Sequence, residues 1–60
     1  MEYTAELDGI NGYGTFFYSV FSEEEYDLVE MWVKEDLEEM GGGHADIYDE
    51  YGNFVDDVEV

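Results

Sequence analysis

Residues 22–43 read SEEEYDLVEMWVKEDLEEMGGG, and this stretch decides the architecture. Ser22 is a good helix N-cap, and Glu25 stands three residues on, the spacing of a capping box; Phe21 and Tyr26 are placed to close a hydrophobic staple across it. From Glu23 to Met40 there is no Gly or Pro, and Gly41-Gly42-Gly43 stops the run where a left-handed residue is wanted. At about 1.5 Å per residue the helix is a rod of about 27 Å. On a helical wheel Tyr26, Val29, Val33, Leu37 and Met40 fall within about 60° of arc, a narrow stripe that calls for a sheet beneath it.

Upstream of the helix, Glu2 to Leu7 alternates. Tyr3, Ala5 and Leu7 fall on one side and Glu2, Thr4 and Glu6 on the other, the period of a half-buried strand. Asp8 to Gly14 holds glycines at 9, 12 and 14 and reads as a hairpin loop. Thr15 to Phe21 (TFFYSVF) is β-branched and aromatic, with Phe16, Tyr18 and Val20 on one face and Phe17 and Phe21 on the other; its composition suits a central strand. Downstream, His44 to Tyr51 and Phe54 to Val60 flank a turn in which Asp49-Glu50-Tyr51-Gly52-Asn53 reads as a type I turn closed by a left-handed glycine. Ala45 and Ile47 face inward and Tyr48 outward. In the last strand Asp56 falls in phase with Phe54 and Val58, so either a bulge intervenes or the register differs. The order is β-β-α-β-β, and its simplest packing is an α+β two-layer domain spanning residues 1–60, a four-stranded antiparallel sheet with one helix on one face.

The chain has 60 residues, 18 of them Asp or Glu, with a single Lys, no Arg and a net charge of −17. A hydrophobic share of 45% and an aromatic share of 18% separate it from a disordered acidic tail. It lacks cysteine and proline, and its longest apolar runs, Phe16-Phe17-Tyr18 and Met31-Trp32-Val33, are far short of a signal sequence or a membrane span. Charge of this sign disfavours nucleic acid or an anionic membrane as a direct ligand and favours a basic partner.

Catalytic readings find little support. Nucleophilic catalysis needs a base beside Ser or Thr, and His44 follows a glycine run at a strand edge. Acid–base work by paired carboxylates needs one of them in an apolar pocket, for which so small a core has little room. Asp46, Asp49, Glu50, Asp56 and Asp57 surround one turn, but neither Asp46 nor Asp49 starts an EF-hand pattern. Gly12-Tyr13-Gly14 and Gly41-Gly42-Gly43 lack the Lys and the strand-to-helix setting of a phosphate loop. The expectation is a protein without cofactor, metal or reaction.

The acids themselves carry the signal. Glu38 and Glu39 occupy the C-terminal turn of the helix, where negative charge costs about 0.3–1 kcal/mol each. Like charges recur at i,i+4 (Glu23 and Asp27, Glu35 and Glu39) and at i,i+3 (Glu24 and Asp27, Asp27 and Glu30, Glu35 and Glu38), with Lys34 alone to offset them. Together these pairs remove about 1–2 kcal/mol from a small domain, so a role outside folding must explain them. Duplex DNA carries one charge per about 1.7 Å of axis, so 17 charges match roughly 29 Å of duplex, close to the long dimension of a chain this size. Glu23, Glu24, Asp27, Glu30, Glu35, Glu38 and Glu39 of the helix, with Asp46, Asp49, Glu50, Asp56 and Asp57 of the second hairpin, are the candidate phosphate-like array. Trp32, with Leu28 and Met31, lies outside the core stripe among Glu24, Glu35 and Glu39, as an interface anchor or as packing at the sheet margin.

In size, charge and topology, carried by runs such as Ser22-Glu23-Glu24-Glu25-Tyr26-Asp27 and Asp46-Ile47-Tyr48-Asp49-Glu50, the chain resembles the small acidic DNA-mimic inhibitors that phages and mobile elements direct against bacterial defence, the anti-CRISPR and anti-restriction proteins. The resemblance implies a non-enzymatic inhibitor, monomeric or a small homo-oligomer, acting in the host bacterial cytoplasm. Its partner would be a basic DNA-binding protein, a CRISPR effector at its target-adjacent motif or a restriction enzyme in its DNA groove. Two rivals remain at this stage. A halophile's ordinary acidic domain would depend on salt to fold, because a Debye length of about 3 Å at 1 M relieves the repulsion. An acidic adaptor or antitoxin-like module would bind a basic protein without competing with DNA.

Overall fold

The first hairpin follows the alternation and overshoots it. In a computed structural model, which describes residues 1–60, β1 runs Glu2–Gly9 and β2 Gly12–Ser19. They pair from Glu2↔Ser19 to Gly9↔Gly12, so the expected seven-residue loop shrinks to Ile10-Asn11. A 3-10 turn, Glu23–Glu25, leads into α1, Tyr26–Glu39; β3 is Gly43–Tyr48 and β4 Phe54–Glu59. The sheet is antiparallel throughout, in the order β2-β1-β3-β4, and α1 lies across one face. The protein is an α+β ββαββ domain.

Two expectations about β2 and the helix start are corrected. β2 is an edge strand, not a central one: the chain leaves it through the helix and returns beside β1, so β1 and β3 occupy the centre. Its aromatic content reflects packing of Phe16 and Tyr18 under the helix, with Val20 just beyond the strand, rather than coverage on both sides. At the helix start Ser22 makes no side-chain cap bond, and the first turn is 3-10, closed by Glu25 N–H donating to the Ser22 carbonyl at 3.1 Å. The Glu25 carboxylate reaches back one residue further than a capping box, accepting from Phe21 N–H at 3.0 Å. No staple forms, because Phe21 is 98% exposed; Tyr26 turns into the core and tilts against Tyr3, with ring centroids 5.1 Å apart.

The core lies between α1 and the inner sheet face. Val29, Val33 and Leu37 from the expected stripe meet Tyr3, Ala5 and Leu7 of β1 and Ala45 and Ile47 of β3, with Val20 closing one side. Tyr26 and Met40 complete the stripe, half-buried. Each fully buried Leu, Ile or Val contributes about 2 kcal/mol against exposure. No charged side chain is buried.

The glycine run is a junction. Gly42 N–H donates to the Leu37 carbonyl at 2.9 Å and Gly41 N–H to Glu38 at 3.0 Å, the paired bonds of a Schellman motif, with Gly41 at φ 85°. The β1–β2 turn docks on the same end: Asn11 N–H reaches the Met40 carbonyl at 3.0 Å and Ile10 N–H the Gly42 carbonyl at 2.8 Å. Gly43 then exchanges both backbone bonds with Val60.

The ambiguity in β4 resolves as a bulge. Ile47 pairs with Asp56 and Tyr48 with Phe54, leaving Val55 unmatched. Phe54 therefore faces outward with Tyr48, while Asp56 faces the helix and Asp57 and Glu59 point out. The connecting turn is as read: Gly52 N–H donates to the Asp49 carbonyl at 3.0 Å, with Gly52 at φ 84°.

A methyl group at Gly43, at φ 143°, would be driven into the Asp8 carbonyl oxygen and to within 2.8 Å of Gly9 Cα, whereas one at Gly52 meets open space. Gly43→Ala is expected to destabilise by about 2 kcal/mol or more and Gly52→Ala by about 1 kcal/mol, read as separate shifts in urea midpoint.

Candidate functional site

The sheet register arranges the outer face as a lattice. One row crosses all four strands as Tyr13, Asp8, His44 and Glu59; the next as Thr15, Glu6, Asp46 and Asp57; the third as Phe17, Thr4, Tyr48 and Phe54. Neighbours in a row stand about 4.8 Å apart and successive rows about 6.8 Å apart. Five carboxylates, Glu6, Asp8, Asp46, Asp57 and Glu59, thus surround a single imidazole on a rigid face that no helix covers. An aromatic row borders them: Phe17 is 77% and Phe54 59% exposed, and Tyr48 meets Phe54 edge-to-face at 6.0 Å.

His44 is held by its neighbours. Its Nε2 lies 3.1 Å from Asp57 Oδ2 and 3.6 Å from Asp46 Oδ1. The hydrogen bond to Asp57, with the negative charge of Asp46, Asp57 and Glu59, raises its pKa. These contacts become ion pairs when His44 is protonated; Lys34 is exposed and forms none.

The expected array divides between the two layers. Glu24, Asp27, Glu35, Glu38 and Glu39 are exposed on the outer side of the helical layer, on the opposite surface of the domain from Asp46 and Asp57, while Glu23, exposed in the 3-10 turn, borders a cleft with Tyr3, Tyr26, Asp49 and Val55 at the end of the sheet. Glu50 is exposed in the β3–β4 turn. Three others are committed to the fold. Asp49 caps its turn, its Oδ1 accepting from Asn53 N–H and Tyr51 N–H at 2.9 Å each; these bonds hold its pKa below the usual carboxylate range. Glu30 and Asp56 face each other across the seam between α1 and β4. Hydrogen bonding with Asp56 raises the Glu30 pKa above the usual carboxylate range and lowers that of Asp56; Asp56 also accepts from Asp57 N–H at 2.8 Å. Beside them the Tyr26 hydroxyl is buried without a hydrogen bond, and burial with the charge of Glu30 raises its pKa.

Trp32 packs at the sheet margin. It stacks on Tyr18 at 6.4 Å, and Tyr18 in turn donates to Asp36 Oδ2 at 2.6 Å, so the helix is latched to the edge strand. Burial, reinforced by that bond, raises the Tyr18 pKa. The outer rim of Trp32 still contributes, with Val20, Phe21 and Leu28, to an open apolar cleft of about 330 Å³.

Sequence reading did not assemble Glu6, Asp8, Glu59, Phe17 and Phe54 into a site. The alternation in β1 had already turned Glu6 outward, but only the β1–β3 pairing brings it beside Asp46. The fold and this face define a small polyanionic α+β domain with an aromatic border. Comparison with protein-family models, with curated proteins and with solved structures gave no match.

Two stability outcomes follow from the seam and the latch. Because the Glu30 pKa is raised in the folded state, its contribution is favourable at low pH and is lost as pH rises through the raised value. Glu30→Gln is therefore expected to raise the thermal midpoint by roughly 2–5 °C at pH 7 and to leave it nearly unchanged near pH 4. Tyr18→Phe, which removes the latch hydroxyl, is expected to cost about 1 kcal/mol in denaturant unfolding at pH 7.

Proposed function

We propose that this protein is a non-enzymatic DNA mimic that occupies the basic DNA-binding groove of a bacterial defence protein, most simply a CRISPR effector where it reads target DNA, with a restriction enzyme as the next candidate. The observation that carries the reading is the density and placement of charge. A net charge of −17 on a body 31 Å long is one charge per about 1.8 Å, against about 1.7 Å of axis in duplex DNA. The 31 × 19 × 15 Å body is of a size to lie in a groove built for a duplex.

The two acidic surfaces differ in what they offer. Carboxylates on the sheet are spaced by backbone pairing and cannot spread apart, so they pre-organise an anionic lattice for Arg and Lys, which pair with carboxylates in the forked geometry they use on phosphates. Phe17, Tyr48 and Phe54 add faces on which guanidinium groups stack. We therefore place the principal contact on the outer sheet face, with the helical acids Glu23, Glu24, Asp27, Glu35, Glu38 and Glu39 supplying long-range attraction or the second wall of the groove. Exposed aromatics bordering the acids suit an interface better than a surface adapted only to salt.

The test is a gel-shift panel in which a Cascade-type effector, a Cas9-type effector and a restriction enzyme are each offered cognate duplex with and without the protein at moderate salt. At least one should lose its DNA at near-stoichiometric protein, and excess duplex should displace the protein in return. Replacing Glu6, Asp46 and Asp57 together by Gln, Asn and Asn should weaken inhibition at least about tenfold while raising the thermal midpoint, since a row of like charges is relieved. A ternary complex of effector, duplex and protein, or undiminished inhibition by the triple variant, would overturn the reading or its placement respectively.

A further inference from the structure

The imidazole in the middle of the acidic face has a role that charge alone does not account for. His44 and Asp46 stand at i and i+2 on β3, and Asp57 sits directly opposite Asp46 on β4, so three donors from two hydrogen-bonded strands converge. One ligand atom from each lies within 4.8 Å of the other two, and His44 Nε2 is 3.1 Å and 3.6 Å from its carboxylate neighbours. We propose that His44, Asp46 and Asp57 form a three-donor site for one divalent transition ion of the zinc class, with solvent completing the coordination.

Geometry supports a single ion. Donors held at about 2.0–2.2 Å from a metal stand about 3.0–3.5 Å from one another in a tetrahedral or octahedral shell. The 3.1 Å separation already fits; the 3.6 Å one, and that between the two carboxylates, which lies within 4.8 Å, close by rotation of the exposed Asp46 and Asp57 side chains. Donor chemistry selects the ion. Magnesium and calcium take oxygen ligands almost exclusively, whereas imidazole nitrogen with carboxylate oxygen suits zinc and its neighbours. The register supplies a reason for the ion to be welcome. Glu6, Asp46 and Asp57 form an unbroken row of carboxylates across β1, β3 and β4, and like charges directly opposite in a ladder repel.

The imidazole distinguishes this site from the counterion cloud that any chain of this charge attracts, and the experiment turns on it. Zinc is titrated calorimetrically into the intact chain at about 150 mM salt with magnesium in millimolar excess, to suppress diffuse binding. One equivalent is expected, with perturbation of the His44 ring resonances. His44→Gln leaves the formal charge of the chain unchanged and is expected to weaken zinc binding at least about tenfold, as is Asp57→Asn. Glu38→Gln removes one charge from the outer side of the helix and is expected to change it by less than about twofold. Near-UV circular dichroism establishes that each variant keeps its fold. Zinc binding by His44→Gln as tight as that of the parent, displacement by magnesium, or an equal loss in Glu38→Gln and Asp57→Asn would each show diffuse condensation and overturn the proposal. The outcome is independent of whether the same face binds a protein, since no partner enters the measurement.

Discussion

Nine apolar side chains shared between one helix and one face of one sheet hold the molecule together, against the mutual repulsion of 18 acidic ones. Both surfaces beyond that thin interior are left to the acids. The balance works because no charge has to be desolvated in the core and because the backbone is tied at one point where three segments meet. At Gly41-Gly42-Gly43 the helix ends, the first hairpin turn docks and the last strand closes, so carbonyls that would lie open at a helix C-terminus are used as cement.

Glu30 and Asp56 are the exception to this segregation. They meet at the seam between α1 and β4, where regular alternation with Val58 turns Asp56 toward the helix. The bulge at Val55 reverses the phase only beyond Asp56, bringing Phe54 out beside Tyr48, while Asp57 and Glu59 keep the outward phase of the regular ladder.

Much of this was legible in the amino-acid order. Alternation in Glu2 to Leu7 assigned the buried side of β1, the stripe Val29, Val33, Leu37 assigned the buried side of the helix, and the phase conflict at Asp56 left a bulge or a different register, between which the pairing with β3 decides. Strand order was not legible. A run of aromatic residues such as Thr15 to Phe21 packs equally well at the centre or at an edge, and only the return of the chain beside β1 decides between them. The candidate site was half legible for the same reason. Asp46 and Asp57 could be named, but Glu6, Asp8 and Glu59 join them through pairing between segments distant in the chain. The capping box failed because three consecutive glutamates open the helix in a 3-10 turn, which carries the Glu25 carboxylate to Phe21 rather than to Ser22.

The edge position of β2 gives the domain a sidedness in how it meets its own kind. From Gly9 to Ser22 the chain carries no charge at all, so one rim of the sheet presents open amides and aromatic rings while every other surface repels. At low ionic strength the repulsion reaches well beyond that rim and keeps copies apart; in about 1 M salt its range contracts to about 3 Å, and the rim is exposed to pairing. The uncharged rim is thereby the edge of the sheet at which like-charge repulsion between two copies is weakest, and added salt shortens the reach of what repulsion remains.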